Sequence, residues 1–467
     1  MSVMRKKSIT SMMELKDKGG TLKKELGAFD LTMLGIGCVV GTGIFVMTGV
    51  AAAQHAGPAL ILSFIIAGLV CSFCALCYAE LASMVPVSGS AYTYSYATFG
   101  EIIAWILGWD LILEYGFAAS MVASGWSGYF QGLLSGFGIH LPHAITSAFN
   151  ADKGTLIDLP AVIIALLLTF LVSRGAKEST RINTIMVVLK IAVIVLFLVV
   201  GVFYVKPANW TPFMPFGFGG VITGAATAFI AYIGFDVVAT AAEEVRNPQK
   251  DLPKGIIASL IVCALLYVLV TAVLTGIVPY HLLDVKNPVA FAIQFIHQNW
   301  IAGFISLGAI VGITTVLFVL LYGQTRLVYA MGRDGLLPKR LSKLNPKTKA
   351  PTVSTWVTGI VVAFFAGVLP LDRLSDLVSI GTLFAFVSVA IGIIILRKTQ
   401  PDLKRSFRVP WVPVIPLLAI LCCGYLLFSL PLVTWEAFLV WMVIGLIIYF
   451  SYSVRSSRLA SGNTEEE

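Results

Sequence analysis

Long apolar runs alternate with short polar stretches along the whole 467-residue chain. A helix of about 20 apolar residues crosses the ~30 Å hydrocarbon core of a bilayer, and most of these runs approach or exceed that length. The pattern therefore predicts an all-α membrane protein with no soluble domain between its helices. Glycine and proline divide the runs into twelve predicted transmembrane segments, numbered in chain order: 28–53, 57–83, 99–130, 157–174, 182–205, 218–243, 254–278, 300–331, 353–370, 374–396, 411–430 and 434–453.

Lysine and arginine are distributed unevenly between the two sets of loops. Of the 32 Lys and Arg residues, 26 lie in the arm 1–27, in the loops that follow even-numbered segments and in the tail 454–467. Positive charge marks the cytoplasmic side of a membrane protein. We therefore expect the arm and the tail to be cytoplasmic and the protein to lie in the plasma membrane. The arm contains no short apolar core followed by a cleavage site, and we expect no signal peptide.

The composition narrows the class of protein further. Apolar residues make up 58% of the chain and charged residues 12%, with a mean hydropathy of +0.91. The net charge of +8 belongs to the cytoplasmic loops, so it does not indicate a nucleic-acid partner. Cys71, Cys74 and Cys77 stand three apart but lie in an apolar run, which favours small buried residues over a metal site. There is no histidine pair with zinc spacing, P-loop, dinucleotide fingerprint or nucleophile triad. We expect no metal, no cofactor and no enzymatic activity.

The first segment contains the stretch GIGCVVGTGIF, which begins at Gly35. Glycine is a poor helix residue, and Gly41-Thr42-Gly43 places a weak point near the middle of the segment. A membrane helix breaks only where its freed N–H and C=O groups face protein, a cavity or a ligand, and transporters use such breaks to bind a substrate carboxylate. The alternative is close helix packing through small residues.

The sixth segment has a similar weak point. It reads AATAFIAYIGFDVV, with Gly234 at mid-depth and Asp236 shortly after, about 190 residues beyond the first weak point. Matching interruptions in two five-helix halves are typical of an inverted repeat with a binding site at the membrane midplane. We therefore predict breaks in helices 1 and 6, and this favours a binding role for the first glycines. The two repeats would span about 28–205 and 218–396, followed by two extra helices over about 411–453.

Lys190 lies in the apolar stretch VVLKIAVIVLF of segment 5. Ionisable groups at membrane depth are costly and are functional candidates by default. A lysine there can take up and release a proton. The alternatives are a side chain that reaches back to the cytoplasmic surface or pairs with a carboxylate for structure.

Three acidic residues within segments are further candidates. Glu114 shares a helical face with Asp110. Glu114 either tunes the substrate site, receives a cation, or is a buried structural carboxylate, and the structural role is favoured for Asp110. Asp236 is expected to brace the second half-helix or to gate the pathway, and Arg326 to lie at an inner gate or an interface. The polar stretches 86–101 and 243–255 are either turns or structured gating loops.

Four stretches together resemble the amino acid–polyamine–organocation (APC) superfamily, and within it the bacterial relatives of cationic amino acid transporters. They are GIGCVVGTGIF, ELASMVPVSGSAYTYSYATFGE, FIAYIGFDVVATAAEEVRNPQKDLPKGI and TRLVYAMGRDGLLP. The resemblance extends from about Leu22 to Leu459. It implies a leucine-transporter-like fold, with a five-plus-five inverted repeat and two further helices.

The resemblance also implies a substrate site. The substrate carboxylate would meet Gly41, Thr42 and Gly43, and its amino group would meet backbone carbonyls. Lys190 matches the lysine that replaces a sodium ion in proton-coupled members, and we then expect protonation to release it from the helix-1 break. Glu114 matches a glutamate that helps to receive a basic side chain. Relatives often carry an aromatic gate where this chain has Ile230, with Phe229 beside it, and this departure leaves the substrate open. The carbonyls expected to contact the amino group lie near Val39, Ile230, Ala231 and Ile233.

These features predict a proton-coupled importer of L-amino acids that works by alternating access. An obligate amino acid exchanger and an importer of a related metabolite, such as a sulfur-containing one, remain as alternatives. A receptor, a channel and a membrane enzyme are disfavoured. The expected partners are the substrate and membrane lipids, while a small single-span membrane partner stays open.

Overall fold

The computed structural model describes residue 5 and residues 26–84, 90–152, 154–175, 180–240, 245–346, 350–403 and 405–457. Within these ranges the chain is helical, with three isolated β-bridges and no strand. The all-α prediction is therefore confirmed for the described residues. Most of the basic arm 1–27, part of each polar stretch (86–89 and 243–244) and the tail beyond residue 457 lie outside the described residues.

The described residues form seventeen α-helices, which are numbered here in chain order. They are α1 Ala28–Val39, α2 Thr48–Ala51, α3 Leu60–Met84, α4 Ser90–Thr98, α5 Glu101–Gly136, α6 Leu159–Ser173, α7 Thr180–Gly201, α8 Gly217–Ala231, α9 Val237–Thr240, α10 Pro248–Ile277, α11 Pro288–Phe295, α12 Asn299–Arg333, α13 Thr352–Val368, α14 Leu371–Thr399, α15 Val414–Phe428, α16 Leu432–Ile448 and α17 Val454–Ser456.

The apolar helices follow the predicted segments closely. Among the described residues, seven helical stretches are long and apolar enough to cross a membrane, and five shorter apolar helices accompany them. Each predicted segment overlaps at least one of these helices. Large apolar side chains such as Leu421, Val440 and Ile447 are exposed on the outer helices, as the surface of a protein in lipid requires. The count of twelve spans and the division into two inverted repeats stay predictions.

Helix α5 is at the centre of the packing, where it contacts α12, α13, α14 and α16. Its contact with α16 depends on a reciprocal pair of tryptophans. The indole N–H of Trp109 donates to the carbonyl of Trp441 at 2.8 Å, and that of Trp441 donates back to the carbonyl of Trp109 at 3.0 Å. The two rings stack with centroids 4.6 Å apart. The pair satisfies both indole N–H groups and fastens α16 to the central helix.

A buried carboxylate connects α3 with the end of α14 and the loop beyond it. Glu80 is fully buried and accepts two hydrogen bonds from Arg397, at 2.8 and 2.7 Å. The backbone N–H of Val409 donates to the same carboxylate at 2.7 Å, and Arg405 lies 3.4 Å away. A bidentate arginine–carboxylate pair is among the strongest side-chain contacts. It holds this end of α3 against α14.

A second buried carboxylate lies at the opposite ends of the helices. Asp158 caps the N-terminus of α6 by accepting from the N–H of Ala161, and it also accepts from the hydroxyl of Ser127 on α5. Lys286, in the loop before α11, donates to the other carboxylate oxygen at 2.7 Å. Asp158 thus joins that loop to α5 and α6.

Candidate functional site

The first helix is interrupted where its glycines predicted a break. Helix α1 ends at Val39, Val40 is extended (φ −77°, ψ 92°), and helical structure resumes with a π-helical turn over Gly43–Met47. The last carbonyls of a helix have no partner within it, so the break leaves C=O groups at the end of α1 to be satisfied by other parts of the protein.

The sixth segment is also interrupted as predicted. Helix α8 ends at Ala231, and α9 begins at Val237. Between them Gly234 has φ +114°, a backbone conformation that side chains rarely adopt. A Cβ on Gly234 would also lie 3.0 Å from the Cβ of Cys38, so the two breaks are in close contact. That they lie at the membrane midplane stays a prediction.

The glycines of the first break also pack closely against other helices. A Cβ on Gly41 would meet a methyl carbon of Val316 at 2.9 Å, and one on Gly43 would meet the Cα of Ala231 at 2.6 Å. The small-residue packing that we considered as the alternative is therefore present together with the break. Both depend on the same glycines.

A cavity lies between the two breaks. The volume that the centres of water molecules can occupy in it is about 40 Å³, which is room for about three waters. Seven of the residues predicted to bind substrate line it: Val39, Gly41, Thr42, Gly43, Ile230, Ala231 and Ile233. The residues that the resemblance implied for the substrate backbone therefore lie together on one cavity wall. Their roles toward a substrate stay predictions.

The rest of the cavity wall is mainly aliphatic and comes from α5, α12 and α14. Sequence analysis did not identify these residues, because every position in an apolar helix looks alike. No acidic or basic residue contacts the cavity among the described residues. The aliphatic wall consists of Ala118, Met121, Val122, Val316, Val319, Leu320 and Val378.

Three further predicted site residues lie beside the cavity rather than on its wall. Phe229 is fully buried and packs edge-on against Phe386, with ring centroids 5.6 Å apart. Asp236 accepts a hydrogen bond at 3.0 Å from the hydroxyl of Tyr115, which does line the cavity. Glu114 is buried next to Tyr115 and does not line the cavity. The gating roles of Phe229 and Asp236 and the cation role of Glu114 are not tested by this arrangement.

Lys190 reaches the first break. Its side chain is fully buried, and its amine donates a hydrogen bond at 2.7 Å to the carbonyl of Gly37 in the last turn of α1. Its methylene stem lies over Gly312 of α12, where a Cβ would approach it to 2.9 Å. The side chain therefore does not return to the cytoplasmic surface, and that alternative is wrong.

Tyr267 of α10 also contacts the breaks, and the sequence analysis missed it. Its hydroxyl lies 2.8 Å from the carbonyl oxygen of Val39 and 2.5 Å from that of Ala231. The signal in the sequence is one hydroxyl in the otherwise apolar stretch CALLYVLV. Buried tyrosines need a hydrogen-bond partner, but the sequence does not say which one.

Comparison with known proteins identifies the family. Residues 26–450 match the family model described as "Amino acid permease". The chain is 57% identical to the branched-chain amino acid permease BcaP of Bacillus subtilis and 54% identical to its methylthioribose transporter, in both cases over 98% of this chain and 99% of the relative. It is 38% identical to the vacuolar cationic amino acid transporter 4 of Arabidopsis thaliana, over 86% of this chain and 68% of the relative.

A helical membrane protein with a cavity between two broken helices has the architecture of a secondary transporter. The chain belongs to the amino acid permease family of the APC superfamily. It is a multi-pass membrane permease, and the family assignment indicates a transporter rather than an enzyme.

Proposed function

We propose that this permease imports L-amino acids with uncharged aliphatic side chains across the plasma membrane, driven by protons, through alternating access. Both termini would be cytoplasmic. The proposal depends on one observation, which is that the cavity has two kinds of lining. One part is backbone from two helix breaks, and the other is a wall of aliphatic side chains.

The backbone part suits the common portion of an amino acid. The N–H groups that follow a helix break lie at the positive end of a helix dipole and favour a carboxylate. The carbonyls of Val39 and Ala231 end the preceding half-helices and favour an ammonium group. This backbone arrangement would bind any L-amino acid, so selectivity among amino acids would depend on the side chains of the aliphatic wall.

The wall supports an aliphatic side chain. A basic side chain would have to bury its charge against Ala118, Val122, Val316 and similar groups, which is unfavourable without a paired carboxylate. Glu114, the nearest predicted partner for such a charge, does not line the cavity. The name of the relative BcaP, a branched-chain amino acid permease, supports the same substrate class.

Lys190 supports the proton coupling. A protonated amine donates a charge-assisted hydrogen bond to Gly37, and this bond is stronger than one from a neutral amine. Protonation would therefore hold α1 against α7, in the opposite sense to the release expected from the sequence. Loss of the proton to the cytoplasm would weaken the contact, so that α1 could move and open the cavity inward.

A second candidate substrate follows from the relative named methylthioribose transporter. A methylthio group is apolar and suits the aliphatic wall, whereas the sugar would need other partners than a carboxylate and an ammonium group. An obligate exchanger of amino acids is the alternative for the mechanism.

The test is uptake into proteoliposomes of labelled leucine, isoleucine, valine, alanine, arginine and methylthioribose, with and without an inward proton gradient. Gradient-dependent accumulation of leucine, isoleucine or valine, with little arginine, supports the proposal. Movement only into preloaded vesicles, independent of pH, would instead establish an exchanger. Uptake of methylthioribose alone would establish the second substrate.

A further inference from the structure

The loop before α11, residues 283–288, is wedged between two helices. On one side it meets the part of the first helix that follows the break, where a Cβ on Gly49 would lie 2.5 Å from the carbonyl oxygen of Leu283. On the other side it meets α5, where a Cβ on Gly132 would lie 2.5 Å from the side-chain nitrogen of Asn287. Glycine at both positions lets the loop approach the two helices closely. The loop therefore fills the space between them.

The part of the first helix that follows the break, residues 43–56, is the outer half-helix in the proposed orientation. Its first residue, Gly43, lines the cavity. Phe45 and Met47 are at most 1% exposed, and the carbonyl of Phe45 accepts a hydrogen bond at 2.6 Å from the hydroxyl of Tyr129 on α5. Because Gly43 is part of the cavity wall, a tilt of the outer half-helix away from α5 would open the cavity on its outer side.

An ion pair ties the loop to α5 and α6. The amine of Lys286 donates to a carboxylate oxygen of Asp158 at 2.7 Å. The side chain of Asp158 is fully buried, whereas that of Lys286 is 28% exposed. The carboxylate also accepts from the hydroxyl of Ser127 and from the N–H of Ala161, so it keeps two partners when the amine leaves. The amine can return to water on its flexible stem. The pair can therefore open without leaving a bare charge in the interior.

We propose that Lys286 is a positioning residue for transport. Its bond to Asp158 keeps the loop docked, and release of the bond frees the outer half-helix to tilt and to admit substrate from outside. This inference rests on the proposed function, which places the loop on the outer side of the membrane. Closure after substrate entry then requires Lys286 to reach Asp158 again. Loss of the bond therefore favours the outward-open state and slows the step that closes it.

Cys38 reports whether the cavity is open to the outside, because it lines the cavity. In intact cells, a membrane-impermeant methanethiosulfonate added to the medium reaches this thiol through the outer opening, and Cys38→Ala gives the background rate. We expect Lys286→Met to raise the rate of modification about five- to tenfold, the effect of one partly exposed ion pair. Lys286→Arg can still donate to Asp158 and should keep the wild-type rate.

Uptake of labelled leucine provides the second readout. We expect Lys286→Met to lower kcat severalfold, because closure is slower, while KM stays within about twofold of the wild-type value. Lys206→Met changes an exposed lysine in another loop of the same side, and it should keep the wild-type modification rate, kcat and KM. Size-exclusion chromatography reports folding for each variant.

An unchanged modification rate in Lys286→Met would overturn the assignment, and so would equal rates in Lys286→Met and Lys286→Arg. A Lys286→Met protein that fails to fold beside a folded Lys286→Arg protein would also overturn it, because the pair would then serve folding. If the wild-type protein neither binds nor transports leucine, the proposed substrate is wrong. The modification rates at Cys38 still test Lys286 in that case, because the reaction needs no substrate.

Discussion

Gly43 and Ala231 are in direct backbone contact, so that a Cβ on Gly43 would lie 2.6 Å from the Cα of Ala231. The Cα of Ala231 belongs to the backbone at the end of α8, so it cannot move aside as the end of a flexible side chain can. We therefore predict that Gly43→Ala separates the two breaks and reduces leucine uptake at least about tenfold, the equivalent of 1.4 kcal/mol in binding.

Gly323 of α12 provides the matched control. A Cβ there would have no heavy atom within 4 Å, and alanine is the better helix residue by about 1 kcal/mol. Gly323→Ala should keep wild-type uptake and stability. Equal uptake by the two variants in the same vesicle assay would show that the contact between Gly43 and Ala231 is not required.

Lys190→Met tests the proton coupling. Methionine keeps an unbranched side chain over Gly312 but does not donate to the carbonyl of Gly37. We expect gradient-driven leucine uptake to be lost while exchange between loaded vesicles continues. Lys206→Met, at an exposed position in a loop, is the control and should retain both activities. Full pH-dependent uptake by Lys190→Met would exclude this lysine as the proton carrier.

Ala118→Leu tests the aliphatic wall. Ala118 lines a cavity with room for about three waters, and a larger side chain there occupies space needed by the substrate. We expect uptake of leucine to fall more than uptake of alanine, measured as the ratio of their kcat/KM values. Ala437→Leu, on the exposed face of α16, should leave that ratio unchanged. An unchanged ratio in Ala118→Leu would place the substrate side chain elsewhere.

Glu80→Gln tests the contact between α3 and α14. The change removes the charge that Arg397 and Arg405 face in a buried position. Breaking a buried ion pair costs about 3–5 kcal/mol, so we expect a clearly lower Tm in detergent. Glu436→Gln, at an exposed position, should change stability by no more than about 0.5 kcal/mol. Similar Tm values for the two variants would mean that Glu80 contributes little to stability.

The helices and both breaks could be predicted from the sequence because each has a strong local cause, whereas the backbone part of the candidate site was predicted from the family resemblance. Apolar runs of membrane length have few alternatives to a helix. Gly41, Gly43 and Gly234 mark positions where a helix is weak, and Lys190 is costly at its depth unless it has a role.

The remaining features depend on how the helices are rotated against one another. An apolar helix has no polar face to reveal its orientation, so Ala118 and Val378 could not be distinguished from residues that face lipid. The shared face of Asp110 and Glu114 was clear from their spacing. That Tyr115, rather than Glu114, meets the cavity depends on the packing of α5 against α12 and α14.

The amine of Lys190 is covalently attached to the protein, and this limits the charge that each transport cycle carries across the membrane. A tethered cation does not dissociate or exchange with sodium, and only its proton is carried from one side to the other. Under the proposed coupling, the stoichiometry at this site is at most one proton per turnover, and import of a zwitterion is electrogenic. A membrane potential of 100 mV, negative inside, then contributes about 2.3 kcal/mol, enough by itself for roughly fiftyfold accumulation.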